Sequence, residues 1–289
     1  MPVALITGAS KGLGRALAAA LAGRGWDLVV DARSAGPLEE AARKLRGAGR
    51  GTAARVVALP GDVADGGHRA ALVAAAGELG GLDLLVNNAS VLGAEPLVRL
   101  AEQPLDGLRA ALEVNVVAPL ALIQQALPLL RVSSYLPSYE EVVRRGEGPF
   151  SGRADGNGGA YDSHPYSENA RNAGLSDSPP YIGTGGAILN ISSDAAAEPY
   201  PTWGGYGAAK AALDQQSAVL AVEEPGLRVW WVDPGDMRTD LYAAAVPDDD
   251  ASGRPLPGTV VPGLLRLLDG AAPSGRYSAA AAPGGVSSR

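Results

Sequence analysis

A tyrosine and a lysine stand four residues apart in the stretch WGGYGAAK, at Tyr206 and Lys210. Residues i and i+4 of an α-helix share a face, so the phenol and the ammonium group could act together in proton transfer. The same spacing also arises by chance at the start of an alanine-rich helix. Lysine is scarce in this chain, since only three of its 24 basic residues are lysine. Lys210 is therefore less easily explained as a solvated surface cation.

A glycine-rich turn near the start of the chain has the composition of a phosphate-binding loop. TGASKGLG follows the apolar run VALIT, and its glycines have the spacing G-x-x-x-G-x-G. Glycines permit a tight turn and let main-chain amides approach a pyrophosphate at a helix N-terminus. A plain strand-to-helix turn would look similar, but the position after the first strand favours nucleotide binding. The expected cofactor contacts are Gly8, Ser10, Lys11, Gly12, Leu13 and Gly14.

The end of the second strand decides which dinucleotide is bound. In this architecture an acidic side chain binds the ribose 2′-hydroxyl of NAD, whereas cations bind the 2′-phosphate of NADP. VVDARS contains Asp31 and then Arg33, and Lys11 lies nearby in the glycine turn. The two cations favour NADP(H), with contacts from Arg33 and Ser34. A slip of the strand by one residue would place Asp31 on the ribose and favour NAD(H) instead.

These residues need a scaffold of alternating strands and helices. Apolar runs indicate strands at VALIT, DLVVDA, ARVVAL, LDLLVNNAS, GGAILNISS and LRVWWVDPG, with Ala- and Leu-rich helical segments between them. Continuous apolar strands joined by helices are typical of a parallel sheet covered on both faces. We predict an α/β fold, a Rossmann-like doubly wound parallel sheet in three α/β/α layers, as a single domain over residues 1–289. A helix, an edge strand and an Ala/Gly tail are expected from residue 259 onward.

The alternation is interrupted by an insertion over residues 132–185. This segment is rich in Gly, Ser, Pro and Asn and contains Phe150, His164 and five of the nine tyrosines. Its composition favours a loop with one short helix at SYEEVVRR. The preceding helix runs antiparallel to the strands, so the insertion should emerge at the N-terminal edge of the sheet, away from bound ligands. That position favours packing or a subunit contact over a tethered loop or a substrate lid.

Composition excludes several classes of protein. The net charge of −7 argues against nucleic-acid binding, which needs a basic surface. The absence of cysteine rules out disulfides and thiolate chemistry, and two histidines leave little for a metal site, so no metal is expected. No apolar run reaches the roughly 18 residues of a membrane span, and the start of the chain does not resemble a signal peptide. We expect a cytoplasmic protein with a small-molecule substrate and no membrane partner.

Five motifs occur together in one order: TGASKGLG, NNAS, NIS, YGAAK and DPGDMRT. With these motifs the chain resembles the short-chain dehydrogenase/reductase family over nearly its whole length except the insertion. The resemblance implies that Asp62 contacts the adenine and that Val63 lies along its ring. It also implies a turn at Asn87 that steadies the central strands and passes the cofactor, with the contacts Asn88, Ala89 and Ser90. The family usually has glycine at the last of these positions, so this turn is expected to differ in shape.

The resemblance also assigns the residues of catalysis. Ser193, thirteen residues before Tyr206, matches the catalytic serine, and Asn115 matches the asparagine of the proton relay. The segment beside the nicotinamide carboxamide is matched by Pro234, Gly235 and Thr239. Read without the family, Ser193 could be a strand-end cap and Asn115 an ordinary buried amide.

These residues support one leading chemistry. A free tyrosine has a pKa near 10, and we expect the Lys210 cation to lower it, so that Tyr206 donates a proton in reduction and accepts one in oxidation. Lys210 would also hold the nicotinamide ribose, and Ser193 would stabilise charge developing on the substrate oxygen. We therefore predict an NADP(H)-dependent oxidoreductase interconverting a carbonyl and a secondary alcohol.

Two other functions remain open at this point. One is an epimerase or dehydratase of the same fold, and the other is a non-catalytic NADP-binding regulatory protein. The apolar helices bearing Asn115 and Tyr206 suit a homodimer or homotetramer. His68 is expected on the polar surface. Four side chains could line a substrate pocket or belong to the core: Trp203, Met237, Leu241 and Tyr242.

Overall fold

The computed structural model describes residues 1–48, 54–135, 185–270, 272–282 and 285–288. Eight strands form one sheet in the order β3-β2-β1-β4-β5-β6-β7-β8, and the first seven run parallel. This confirms the predicted doubly wound α/β fold. The strands are β1 (Val3–Ile6), β2 (Asp27–Ala32), β3 (Val56–Pro60), β4 (Leu84–Asn87), β5 (Ala187–Ile191), β6 (Arg228–Asp233), β7 (Gly275–Ala282) and β8 (Gly285–Ser288).

Helices cover both faces of the sheet. They are α1 (Gly12–Gly23), α2 (Ala35–Arg46), α3 (Gly66–Leu79), α4 (Leu105–Leu112), α5 (Ala118–Arg131), α6 (Gly204–Glu223), α7 (Asp240–Ala245) and α8 (Pro257–Asp269). One core cluster joins α1, α2 and α8 to one face of the sheet, and a second joins α3, α5 and α6 to the other. The strands are apolar on both faces because both faces are buried.

The C-terminal edge strand differs from the sequence prediction. The strand expected at the edge is β7, which pairs on both sides, because β8 lies outside it in antiparallel orientation. The segment expected as an Ala/Gly tail therefore supplies the end of one strand and all of another. Alanine and glycine have low strand propensity, so composition alone favoured a tail.

The two flanks of the insertion meet at the N-terminal edge of the sheet, as predicted. The Gly186 amide donates to the Leu130 carbonyl at 2.8 Å, and the Ser133 hydroxyl donates to Asp83, which precedes β4, at 2.6 Å. Tyr135 packs edge-on against Trp26, just before β2. Residues 136–184, with Phe150, His164 and the expected helix at SYEEVVRR, lie outside the described residues. The boundaries and role of the insertion therefore stay predictions.

The helical run from α4 to α5 contains a π-helical turn over Glu113–Val117. Such a turn adds one residue to the helix and often marks a functional site. By length and composition alone, the continuous helix over residues 105–131 could cross a membrane, but nearly half of its apolar window is buried. It packs against α3 and the sheet, as the core helix of a globular domain does.

Candidate active site

The first turns of α6 bring Tyr206 and Lys210 together inside the protein. Their residues are 5% and 2% exposed, and the Lys210 ammonium lies 5.5 Å from the centre of the Tyr206 ring. Lys210 Nζ donates to the carbonyl of Ile191, the last residue of β5, at 2.8 Å. A lysine this deeply buried is not a solvated cation, so the chance-spacing interpretation is wrong.

Burial dominates the proton affinities of this pair. It raises the pKa of the Tyr206 phenol to about 12, with the carboxylates of Asp194 and Asp233 adding to the rise. Burial also lowers the pKa of the Lys210 ammonium to about 8, against the opposing effect of the Asp214 carboxylate. The net lowering of the phenol pKa that we expected from Lys210 is therefore not found for the protein groups alone, because burial outweighs it. Burial shifts both side chains toward their neutral forms, because a phenolate or an ammonium group is costly away from water.

Two adjacent serines follow β5, and they point to different places. Ser192 is 2% exposed, and its hydroxyl donates to the Asp214 carboxylate. Ser193 is half-buried and caps the short turn Asp194–Ala196, accepting from the Ala195 amide at 3.1 Å and donating to Asp194 at 3.0 Å. Ser192 is thus part of the interior, and Ser193 is the more exposed serine of the two. The capping interpretation of Ser193 is correct for the protein without substrate and does not exclude a second role.

Asn115 lies in the π-helical turn and is 1% exposed. Its amide group donates to the Val91 carbonyl at 2.8 Å and accepts from the Val91 amide at 3.1 Å. The side chain therefore ties the helix to the segment after β4. These bonds match the interpretation of Asn115 as a buried amide satisfied by its neighbours.

The segment after β4 is held from both sides. Thr7 Oγ1 accepts from the amides of Asn88 and Ala89 at 2.9 and 3.0 Å, while Asn115 holds Val91. Ser90 lies between these two sets of hydrogen bonds. Its hydroxyl oxygen is buried and finds no hydrogen-bond partner among the residues that the structure describes. The Ser90 hydroxyl lies beside Tyr206 and lowers the pKa of its phenol, although the two hydroxyls form no hydrogen bond of ordinary geometry.

The glycine turn is fixed by Asp31 at the end of β2. The carboxylate, 1% exposed, accepts from the Gly8 amide at 2.8 Å and lies 3.1 Å from His68 Nε2. In the sheet, Asp31 of β2 pairs with Leu59 of β3, and Arg33 is exposed just beyond the end of β2. The one-residue slip that would have placed Asp31 on a ribose is therefore absent. The expectation that His68 is polar surface is also wrong, because its side chain is only 10% exposed.

The glycine turn fits a dinucleotide pyrophosphate. α1 begins after Lys11, which makes no side-chain cap bond, so the first main-chain amides of the helix are available to an anion. A Cβ on Gly12, at φ +59, would meet only Thr239 Cγ2, at 3.9 Å, which leaves open space over the turn. A Cβ on Gly14 would lie 2.5 Å from Asn88 Nδ2, so that glycine serves packing.

The remaining predicted cofactor contacts lie around this turn. Asp62 is exposed and accepts from the Ala64 amide at 2.9 Å, while Val63 is buried. Gly235 has φ +71, donates its amide to Asp233 and follows Pro234. Ser10 is half-buried, and Ser34 is exposed ahead of α2. Asn87 bonds to Asn190 on β5 at 2.8 Å, which steadies the central strands.

The two predicted cations differ in their surroundings. Arg33 is exposed. Lys11 forms an ion pair with Asp240 of α7 at 2.7 Å, and the two side chains are 66% and 75% exposed. An exposed pair of this kind contributes little to stability, so Lys11 can exchange Asp240 for a phosphate at small cost.

The four predicted substrate residues do not form one group. Trp203 and Leu241 pack on the cluster that contains Tyr206, and the Trp203 ring centre is 5.7 Å from that of Tyr206. Met237 packs instead on the core beside α1 and α8. Tyr242 lies under the Arg254 guanidinium at 4.6 Å and donates to Asp249 at 2.5 Å. A groove of about 240 Å³ is lined in part by Trp203, but neither Tyr206 nor Lys210 lines it.

Sequence reasoning missed a buried polar network under the site. Asp214, one helical turn beyond Lys210, accepts from Ser192 and from Arg276 Nε of β7 at 3.0 Å. Arg276 Nη2 also donates to the Ser193 carbonyl at 2.9 Å. The i+4 spacing of Lys210 and Asp214 is the one sequence signal for it, since Arg276 is distant in the chain.

Comparisons with known proteins come from sequence and from structure. The sequence model of the short chain dehydrogenase family matches residues 2–135 and 178–250. The rhamnolipids biosynthesis 3-oxoacyl-[acyl-carrier-protein] reductase of Pseudomonas aeruginosa is 33% identical over 145 residues, covering 50% of this chain and 54% of that protein. The D-erythrulose reductase of Gallus gallus is 35% identical over 138 residues, covering 45% of this chain and 52% of that protein. The matched region thus spans about half the length of these relatives.

Solved structures share the fold. An alcohol dehydrogenase from the archaeon Thermococcus sibiricus, complexed with 5-hydroxy-NADP, superposes with a TM-score of 0.69 at 23% identity, covering 96% of this chain and 95% of that one. At this level of identity the likeness establishes the fold and no more.

Proposed function

The chain belongs to the short chain dehydrogenase family, and we propose that it is an NADP(H)-dependent oxidoreductase interconverting a carbonyl and a secondary alcohol. The observation that carries this proposal is the buried Tyr206–Lys210 pair, with Ser193 at the end of β5. The matched relatives are reductases, which does not favour an epimerase, a dehydratase or a non-catalytic binding protein. Carbonyl reduction and alcohol oxidation are the two directions of this one reaction.

Each residue has a role in proton transfer or charge stabilisation. Tyr206 donates a proton to the substrate oxygen in reduction and removes it in oxidation. Ser193 gives up its bond to Asp194 and donates to the same oxygen. Lys210 holds the nicotinamide ribose and returns protons toward Tyr206, with Asn115 fixing the neighbouring main chain. The bound cofactor supplies the hydride and, when oxidised, a positive charge that favours the phenolate.

Cofactor choice is proposed from the surroundings of Asp31. Its carboxylate is engaged by Gly8 and His68, so it does not face a ribose hydroxyl. Arg33 is exposed beside it, and Lys11 is held by a weak pair, so both cations suit a 2′-phosphate. The Thermococcus sibiricus enzyme, which has the same fold, was solved with an NADP derivative.

Tyr206→Phe tests the proton donor. The variant keeps the ring and its packing, so we expect NADPH binding to remain while turnover falls by roughly a thousandfold or more. Turnover is followed at the nicotinamide absorbance with a panel of aldehydes and ketones. Tyr135→Phe, an exposed tyrosine at the opposite edge of the sheet, is the matched control and should turn over normally. Turnover near the wild-type rate in Tyr206→Phe would refute this role.

Titration with NADPH and NADH tests cofactor choice separately. We expect NADPH to bind at least roughly tenfold more tightly than NADH, because its 2′-phosphate contacts the two cations. The variants Arg33→Ala and Lys11→Ala should remove that preference. Arg254→Ala, an arginine paired with Asp236 and Asp249, is the control and should leave it intact. Equal affinity of the wild type for both cofactors would refute the assignment.

We also propose a cytoplasmic homodimer or homotetramer that acts on a small molecule. Apolar side chains are exposed on the helical surfaces around α5 and α6, including Val117, Val219 and Val222. Burying such side chains between subunits is favourable. Light scattering on the purified protein decides the oligomeric state.

A further inference from the structure

Asp214 is a half-buried carboxylate to which the reaction described above gives no role. It lies on α6, four residues beyond Lys210, and its side chain is 15% exposed. One carboxylate oxygen accepts from Ser192, and the other accepts from Arg276 Nε. Both oxygens are thus fixed, one by the residue that follows β5 and the other by a residue of β7, so the negative charge is held in one place.

Arg276 joins this carboxylate to the catalytic serine. Its Nε binds Asp214 at 3.0 Å, and its Nη2 binds the Ser193 carbonyl at 2.9 Å. The guanidinium is planar and rigid, so the two bonds fix the distance between α6 and the end of β5. One arginine of β7 therefore positions the main chain of the substrate-binding serine and the carboxylate below the lysine.

The charged groups around Lys210 make Asp214 its anionic neighbour. The other groups at the site are the Tyr206 phenol on the same helix, Asp194 after β5, Asp233 on β6 and Arg276 on β7. Among them, Asp214 is the carboxylate that raises the pKa of the Lys210 ammonium, whereas Asp194 and Asp233 act on Tyr206. A buried ammonium without a neighbouring anion tends to release its proton near neutral pH.

We propose that Asp214, held by Ser192 and Arg276, is a positioning residue that keeps Lys210 charged beside Tyr206. This inference rests on the proposed function for its catalytic consequence, although the charge on Lys210 can be measured without it. Asp214 contacts neither the cofactor nor the substrate, and acts through the lysine and the serine. Its removal would leave Arg276 without its ion-pair partner and Lys210 without the carboxylate one turn along the same helix.

The test measures the protonation of Lys210 directly. The chain has three lysines, so protein labelled with ¹³C-lysine gives three side-chain ε-methylene signals that Lys11→Arg and Lys44→Arg assign. In the wild type the Lys210 signal should titrate near pH 8. In Asp214→Asn, which keeps the shape of the side chain, we expect the midpoint to fall by about one pH unit or more. Asp214→Glu keeps the charge and should restore the midpoint.

A second readout uses activity. Loss of the ammonium weakens proton transfer, so the alkaline fall of kcat in carbonyl reduction should begin about one pH unit lower in Asp214→Asn. Glu223→Gln, which removes an exposed carboxylate from the same helix, should match the wild type in both measurements. If Asp214→Asn is poorly folded, Ser192→Ala, which removes one of the bonds to Asp214, should produce a smaller shift in the same direction.

The outcomes separate this inference from the proposed function. An unchanged Lys210 midpoint in Asp214→Asn would overturn the inference, as would a uniform loss of rate at every pH with an unmoved alkaline limb. A shifted midpoint in a wild-type protein that reduces no carbonyl would uphold the electrostatic role and refute the proposed reaction.

Discussion

At Tyr206, burial and the carboxylates of Asp194 and Asp233 raise the pKa of the phenol, and the Ser90 hydroxyl opposes them. The spacing of Tyr206 from Lys210 could be predicted from sequence because helical geometry fixes i and i+4. The high pKa of the phenol could not, because it depends on how completely the site excludes water and on two carboxylates from other elements. Asp214 and Arg276 were missed for the same reason, since the fold brings together residues 62 positions apart.

Ser90 stands where the resemblance to the family implies a glycine, and its hydroxyl lowers the pKa of Tyr206. Ser90→Ala removes that hydroxyl, so the phenol pKa rises. Alcohol oxidation needs the deprotonated phenol. The acidic limb of its pH–rate profile should therefore move to higher pH, by roughly half a unit to one unit. The measurement is kcat/KM for alcohol oxidation across the neutral and alkaline range.

Two further variants define the effect of Ser90. Ser90→Thr keeps a hydroxyl and should leave the limb where it is, whereas Ser90→Gly should behave as the alanine variant does. A limb that stays in place in both the alanine and glycine variants would show that this hydroxyl does not act on the phenol.

Among the elements, the turn between β1 and α1 shows how far a motif predicts structure. The glycine spacing correctly indicated a strand, a tight turn and a helix start. The anchoring of that turn by Asp31 and His68 was not visible, because a carboxylate at the end of β2 also matches the pattern of a ribose ligand. Only the burial of the side chain distinguishes the two roles.

Asp31→Ala separates those two roles. The structure shows the carboxylate holding the Gly8 amide, so its loss should loosen the phosphate-binding turn and weaken NADPH and NADH equally, by roughly tenfold. The measurement is equilibrium titration with both cofactors, and kcat at saturation should change little. Asp106→Ala, which removes an exposed carboxylate on α4, is the control. A loss confined to NADH would mean that Asp31 binds the ribose after all.

For the molecule as a whole, the doubly wound order could be predicted from the alternation of strands and helices. The last strand could not, because β8 is a four-residue segment with one strong strand former, Val286, and is specified by pairing with β7. The flanks of the insertion lie at the N-terminal edge, as the direction of one helix indicated. They are joined by the bond from Gly186 to Leu130, independently of residues 136–184.

Replacing residues 136–184 by a short Gly/Ser linker tests the insertion. Because both flanks lie at the edge opposite the glycine turn, NADPH affinity and turnover should stay within roughly twofold of the wild type. The measurements are cofactor titration, turnover and light scattering. A change in oligomeric state alone would support a subunit contact. Loss of turnover in a variant that still binds NADPH would instead support a substrate lid.

The distribution of the three lysines gives the protein a simple route to oriented attachment. Lys210 is buried, Lys11 lies at the mouth of the phosphate-binding turn, and Lys44 lies near the end of α2, at the opposite edge of the sheet. A support that couples to primary amines would bind the protein through either exposed lysine, Lys11 or Lys44, and attachment through Lys11 would block cofactor entry. With arginine at position 11, Lys44 becomes the accessible lysine, and an immobilised enzyme would present its catalytic edge to the flowing solution.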